Sequence, residues 1–208
     1  MSGRVRTASN LELLGGQLCL DFANTVSTRI EELSRDYLTA YGDLVAWGQH
    51  AGILTEDEAH TLLREAAGCP QGRAAAFEGA ILLRETIYRV FSAISGRREP
   101  AETDLVALNA WLHKTLSRME VVPSGNGYHW SWVAEADDLD RILYPVVRSA
   151  ADLLTSGELE KVRQCARRGC DWLFVDSSKN HSRRWCSMKQ CGSRIKARRY
   201  YRRRKRKS

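Results

Sequence analysis

Four cysteines near the end of the chain carry the densest chemistry in the sequence. Cys165 and Cys170 are separated by four residues, fifteen residues follow, and Cys186 and Cys191 repeat the four-residue gap. Thiolates are soft ligands that suit tetrahedral zinc, and a short C-x(2–4)-C pair lets one backbone turn aim two sulfurs at one ion. Two such pairs complete a four-sulfur shell, the closed form of a structural site with no position left for water or substrate. The competing readings are disulfides, buried apolar cysteines, an iron–sulfur cluster or a redox switch. Met1-Ser2-Gly3-Arg4 opens no apolar signal-peptide core, and no run of about 18 apolar residues marks a membrane span. Both features place the chain in a reducing cytoplasm, where paired cysteines are more often metal ligands than bridges. His181, between the pairs, is an alternative fourth ligand or a solvated turn histidine.

Size points the same way. Residues 158–208 offer little core beyond Trp172, Leu173, Phe174, Val175, Trp185, Met188, Ile195, Tyr200 and Tyr201. Segments this small seldom fold without a metal or disulfides, and zinc supplies about 10–16 kcal/mol to such peptides at neutral pH. Around the ligands, Asp171–Asp176 has the aromatic and β-branched character of a short strand. Ser177–Ser182 reads as a polar turn, and Arg183-Arg184-Trp185 as the return toward the second pair. Past Cys191, Gly192-Ser193 opens a run of helix formers from Arg194 to Tyr201. Knuckle, hairpin and a ligand at a helix start make a treble-clef-like arrangement.

The stretch "WLFVDSSKNHSRRWCSMKQCGSRIKARRYYRRR" resembles the C-terminal zinc finger of the CGNR family, whose Cys-Gly-Asn-Arg motif is represented by Cys191-Gly192-Ser193-Arg194. Ser193 replaces the asparagine; both are short polar residues able to cap a helix. The resemblance implies DNA binding and a role as a stress-induced transcription regulator. "LCLDFANTV" (Leu18–Val26) with "YGDLVAWGQHAGIL" (Tyr41–Leu54) resembles, more loosely, the N-terminal domain that accompanies this finger.

Charge divides the chain in the same place. Residues 1–157 hold 14 Lys/Arg against 21 Asp/Glu, a net of −7, whereas residues 158–208 hold 18 against 4, a net of +14. An acidic body carrying a basic appendage points to a polyanionic partner for the appendage. Arg194, Arg198 and Arg202 recur at i, i+4, and arginine forks match phosphate and can read guanine. The candidate nucleic-acid contacts are Arg183, Arg184, Arg194, Lys196, Arg198, Arg199, Arg202 and Arg203. DNA is the expected partner, with RNA as the alternative.

The expected fold is mainly α: a helical N-terminal domain (1–157) bearing a small β-hairpin, then a treble-clef-like zinc finger (158–208) beyond a hinge at Ser156-Gly157. Helices are expected near Leu18–Val26, from Tyr41 to Ala51, from the Thr55–Glu58 capping box to about Ala67, and from Arg73 to Ile94. Two more start at Thr103 or Asp104 and at Asp137-Asp138. Gly68–Gly72 is expected to separate the third and fourth, and Ser124–Gly127 to turn a hairpin. Trp130 and Trp132 lie on one strand face, expected in the core; Cys19 and Cys69 read as small, at least partly buried hydrophobes. Asp21 and Asn24, with Arg29 beyond, are candidates to line a small-molecule effector pocket. The alternative is that Asp21 caps a helix and Asn24 satisfies buried backbone groups. No phosphate loop, histidine pair or nucleophile elbow appears, so an enzyme is not expected.

Overall fold

A computed structural model describes residues 5–32, 34–133 and 138–193. Six α-helices make up most of the described fold: α1 (Leu18–Ala23), α2 (Tyr41–His50), α3 (Glu56–Gly68), α4 (Pro70–Ser95), α5 (Glu102–Leu116) and α6 (Tyr144–Thr155). Two antiparallel pairs accompany them, β1 (Met119–Ser124) with β2 (Gly127–Trp132), and β3 (Val162–Gln164) with β4 (Leu173–Val175). No helix among the described residues is long and apolar enough to cross a membrane.

The spine is α4, against which α1, α2, α3, α5 and both strands of the second pair rest. Its apolar face, with Ala80, Leu83, Ile87, Val90 and Phe91, follows the three-and-four spacing of a helix with one side in the core. α1 is short but almost wholly interior: Cys19 to Ala23 are buried, and Phe22 meets Trp47 of α2 with ring centroids 5.1 Å apart. Six residues cannot hold a helix by propensity; burial against α4, α6 and β4 does so.

Several local expectations need adjusting. The break between the third and fourth helices shrinks from five residues to Cys69 alone, because α4 starts at Pro70 rather than Arg73. Proline fits a first helical position, where its missing N–H has no partner to lose. Pro145 stands second in α6, which begins at Tyr144 behind a 3-10 turn (Arg141–Leu143), and so still lies within the first turn. Cys69 is exposed at the junction, whereas Cys19 is fully buried and its thiol is pushed up to about 12 by that burial. Asp137 lies outside the described residues. The capping box forms as the sequence suggests, with Thr55 Oγ1 accepting from Glu58 N and the Glu58 carboxylate accepting from Thr55 N.

Gly125-Asn126 closes the first hairpin, with Ser124 opposite Gly127 and Gly125 at φ 51°. Trp130 and Trp132 do share a face, but only Trp132 packs inward, 5.7 Å from Tyr144 between ring centroids. Trp130 is 55% exposed, with the Arg148 guanidinium 5.5 Å from its ring. The hairpin has a helical neighbour along only part of its length, so its outer residues stay in solvent.

Candidate metal centre

The second hairpin is the frame of the cysteine site. β3 precedes Cys165, and its partner β4 follows Cys170, in the register Val162↔Val175, Arg163↔Phe174 and Gln164↔Leu173. The first cysteine pair therefore occupies the loop of this hairpin. The expected strand at Leu173–Val175 is present, but it pairs with residues upstream of the knuckle. Arg183–Trp185 forms no strand; it meets the knuckle through a bond from Ala166 N to Arg184 O at 2.8 Å and through Trp185, which packs against the cysteine cluster. Gly169 turns the knuckle at φ 76°, a left-handed conformation that glycine adopts without strain.

The second pair is set by a single turn of π-helix, Met188–Gly192, with Cys191 N and Gly192 N both donating to Ser187 O at 3.0 Å. Ser187 Oγ accepts from Gln190 N at the start of this turn, and Ser193 Oγ donates to Met188 O at its end. Asp176 organises the loop between the pairs. Its Oδ1 accepts from the Ser178 amide and hydroxyl, and Oδ2 accepts from Arg183 N at 2.8 Å. Burial alone would raise this carboxyl, but those three bonds and nearby His181 hold it below the ordinary range. His181 is exposed at φ 46°, with its ring against Asp176 O, so it is a turn residue.

All four thiol sulfurs are brought together, each within 4.8 Å of the others and each on a buried residue. Cys170 and Cys186 are 3.8 Å apart at sulfur, and Cys186 and Cys191 are 3.5 Å apart. A zinc tetrahedron with Zn–S near 2.3 Å has edges of about 3.8 Å, whereas a disulfide would bring two sulfurs to about 2.0 Å. All four cysteines are free thiols. The donor set thus suits one zinc ion, held by Cys165, Cys170, Cys186 and Cys191. Arg167 supports it, donating from Nε to Cys191 Sγ at 3.2 Å and from Nη2 to Gly169 O at 2.8 Å. The Cys191 thiol is held far below its ordinary range, first by the other three cysteines and last by Arg167. A four-thiolate zinc centre carries a net charge of about −2, which this guanidinium partly offsets.

The centre is seated on the helical body by a clamp built from the Leu18–Val26 stretch. Asn24 faces the free edge of β4: its Nδ2 donates to Leu173 O at 2.8 Å and its Oδ1 accepts from Leu173 N at 2.9 Å. One amide thereby imitates a neighbouring strand. Val175 N continues the edge by donating to Gly15 O at 2.8 Å, while Gly15 N donates to Asp21 Oδ1 at 2.7 Å. Trp172 Nε1 donates to Val26 O, also at 2.8 Å. Gly15 has no room for a side chain, since a Cβ there would lie 2.8 Å from both Asp21 N and Leu20 Cβ. Burial pushes the Asp21 carboxyl up to about 6, against the lowering effect of the Gly15 and Leu14 amides.

Arg29 is placed elsewhere. Its guanidinium pairs with Glu85 at 2.6 Å, donates to Ala23 O and lies 3.9 Å from the Tyr88 ring centre. Its backbone N–H donates to Asp171 Oδ2, which also accepts from Tyr88. Asp21, Asn24 and Arg29 are thus each joined to protein partners. Of the basic candidates, Arg183 turns inward, with its guanidinium donating to the carbonyls of Trp185 and Cys186 and lying 4.3 Å from the Phe174 ring centre. Arg184 is exposed. Arg194, Lys196, Arg198, Arg199, Arg202 and Arg203 lie outside the described residues. Sequence reasoning missed Arg167, Asp171 and Asp176; the only signal for the last two is that acids flank the apolar Trp172–Val175 run on both sides.

Comparison with known families agrees with this arrangement. The model of the ABATE family, described as "Putative stress-induced transcription regulator", matches residues 16–157, about two thirds of the chain. The chain belongs to the ABATE family. A second model, the CGNR zinc finger, matches residues 161–204 and so covers all four clustered cysteines. The clamp residue Asn24 lies in the ABATE segment, and its partner Leu173 lies in the finger. No curated protein matches the chain.

Proposed function

We propose that the chain is a zinc-dependent, DNA-binding transcription regulator of the cytoplasm, without enzymatic activity of its own. The observation that supports this reading best is the buried four-sulfur cluster, whose last ligand, Cys191, stands three residues before the basic run that opens at Arg194. Zinc would fix the two loops that carry the ligands, and the arginines that follow would leave a rigid platform rather than a floppy tail. Arg184, Arg194, Lys196, Arg198, Arg199, Arg202 and Arg203 are the contacts we assign to nucleic acid. Arg183 holds the second cysteine pair from beneath. Arginine-rich surfaces acting on phosphates give a strong salt dependence, so affinity for duplex DNA should fall by about 10³–10⁵ between 50 and 200 mM salt if 6–10 contacts form.

The test joins metal content to binding in the full chain. Purified protein should hold one zinc per chain and bind duplex DNA with that salt slope, and Cys186→Ser should lose both. A variant that loses the metal but keeps the slope would show that the basic run acts without its platform. Tighter binding to structured RNA than to duplex DNA at equal salt would move the assignment to RNA.

A further inference from the structure

A cleft of about 560 Å³ opens between the N-terminal lead and the finger, and its walls come from both. Arg6 of the N-terminal lead lines it together with Ser27 and Tyr37 of the helical body, and Arg167, Lys189 and Gln190 line it from the finger, with the cysteine cluster and Trp172 at its back. The lining has three cations and no carboxylate, so its charge stays positive even against the charge of about −2 on a four-thiolate zinc centre at its back. That is unexpected in the body, whose residues 1–157 carry a net charge of −7. Among the described residues, neither Arg6 nor Lys189 has a carboxylate within ion-pair distance. The nearby Glu12 is engaged by Gln190 Nε2 at 2.6 Å, and Glu31 lies over Gly169 behind the knuckle. Arg35 adds a fourth positive charge at the margin, exposed and 5.6 Å from the Tyr37 ring centre.

Neutralising a metal centre of charge about −2 accounts for only part of this set. Arg167 already donates to a ligand sulfur, while Lys189 is exposed and Arg6 half-buried. The lead that carries Arg6 is also firmly placed: Leu11 is buried among the cysteines, Trp172 and Phe174, and Leu11 O meets the ring of His50. Holding an arginine against the mouth of a cleft fixes the position of its charge in advance, which lowers the cost of ordering it on binding. Gln190 and Lys189 belong to the turn that immediately precedes the basic segment in sequence.

We infer that this cleft is a seat for a backbone phosphate of nucleic acid, by which the N-terminal lead joins the finger in gripping DNA through Arg6 and Lys189. The inference rests on the DNA-binding reading above and adds to it a contact from the domain not otherwise assigned to nucleic acid. Two cations converging on one phosphate, with Ser27 as a neutral donor, is a common way for a protein to fix its register on a duplex without reading sequence.

The experiment compares the full-length, zinc-loaded protein with Arg6→Gln, Lys189→Gln and Arg6→Lys, using one mixed-sequence duplex in a salt titration. Each Gln variant should lower the slope of log affinity against log salt by about one, with zinc content unchanged, and Arg6→Lys should restore most of it. Equal slopes for wild type and both Gln variants would overturn the inference while leaving the DNA-binding reading intact. Reduced zinc retention against a chelator with unchanged slopes would do the same and show that the cations serve the thiolates. If inorganic phosphate alone stabilises the wild type but not Arg6→Gln, and the slopes are equal, the cleft takes small anions and the inference fails. Absence of DNA binding by the wild type would overturn both readings together.

Discussion

Replacing Asn24 by alanine tests whether the clamp holds the metal module onto the body. The substitution removes two hydrogen bonds at once, at 2.8 and 2.9 Å, and strands Leu173 N and Leu173 O on a residue with no solvent exposure. Each buried backbone group left without a partner costs about 1–3 kcal/mol. The sum is about 2–6 kcal/mol, and we expect about 3 after local relaxation. For a chain of this size that corresponds to a fall in melting temperature of about 6–12 °C. Urea unfolding of zinc-saturated protein measures the energy, and amide exchange at Leu173 localises it, since that amide should lose protection before Phe174 does. A change below about 0.5 kcal/mol with Leu173 still protected would refute the clamp. If the same variant instead abolished stabilisation by a metabolite, Asn24 would return as a ligand contact.

Three further outcomes follow from the same geometry. Asp21, with its folded pKa near 6 against an ordinary 3.8, is protonated in both states below about pH 4 and costs nothing there. As pH rises from about 4 to 6 the unfolded chain ionises first and stability falls, levelling at a penalty of about 3 kcal/mol. Asp21→Asn should therefore gain stability relative to wild type across that window, read from urea midpoints at each pH; a parallel pH profile would remove Asp21 from the account. Gly15→Ala should destabilise by about 1–3 kcal/mol, because its new methyl meets backbone atoms that cannot turn aside; calorimetry checks this. Thr55→Ala deletes an exposed helix cap, and should cost about 1 kcal/mol with no effect on zinc content or DNA affinity.

What the sequence made legible was local. The spacing of four cysteines, the Thr55–Glu58 cap and the Gly125-Asn126 turn each carry their signal within a few residues, and each forms as read. The partner of β4 was misread because a strand of three residues, Val162–Gln164, has no period long enough to recognise, and its apolar content is one valine. Asn24 shows a different limit. Its partner is 149 residues away, so nothing near "LDFANT" distinguishes an asparagine that holds a ligand from one that completes a sheet edge. The same holds for Arg84, buried in a bidentate pair with Asp36 at 2.7 and 2.8 Å: its spacing with Phe77, Ile81, Tyr88 and Phe91 puts it on one face of α4 but gives no sign of a partner 48 residues away. Trp130 failed for lack of a neighbour, since strand alternation gives the face a residue shares but not whether another element covers it.

The clamp changes what the metal can do for the rest of the chain. The finger's own hydrophobic cluster is completed by Leu11, Leu14 and Tyr37, which all lie outside it in sequence, while Val162, Leu173 and Val175 of the finger sit in the main helical core. A cut at residue 157 separates segments that the charge distribution distinguishes, yet it exposes those three side chains and frees the edge of β4. Zinc binding contributes a large free energy to any fold whose ligands are set only in the folded state. Here the folded state includes Gly15, Asn24 and the lead as well as the two loops, so part of that energy is shared with the ABATE side. It follows that a ligand or DNA contact acting on the lead, Arg6 included, and a metal acting on the cysteines bias the same packed unit. Any such coupling is reciprocal: the factor by which a contact on the lead changes zinc affinity equals the factor by which zinc changes the affinity of that contact.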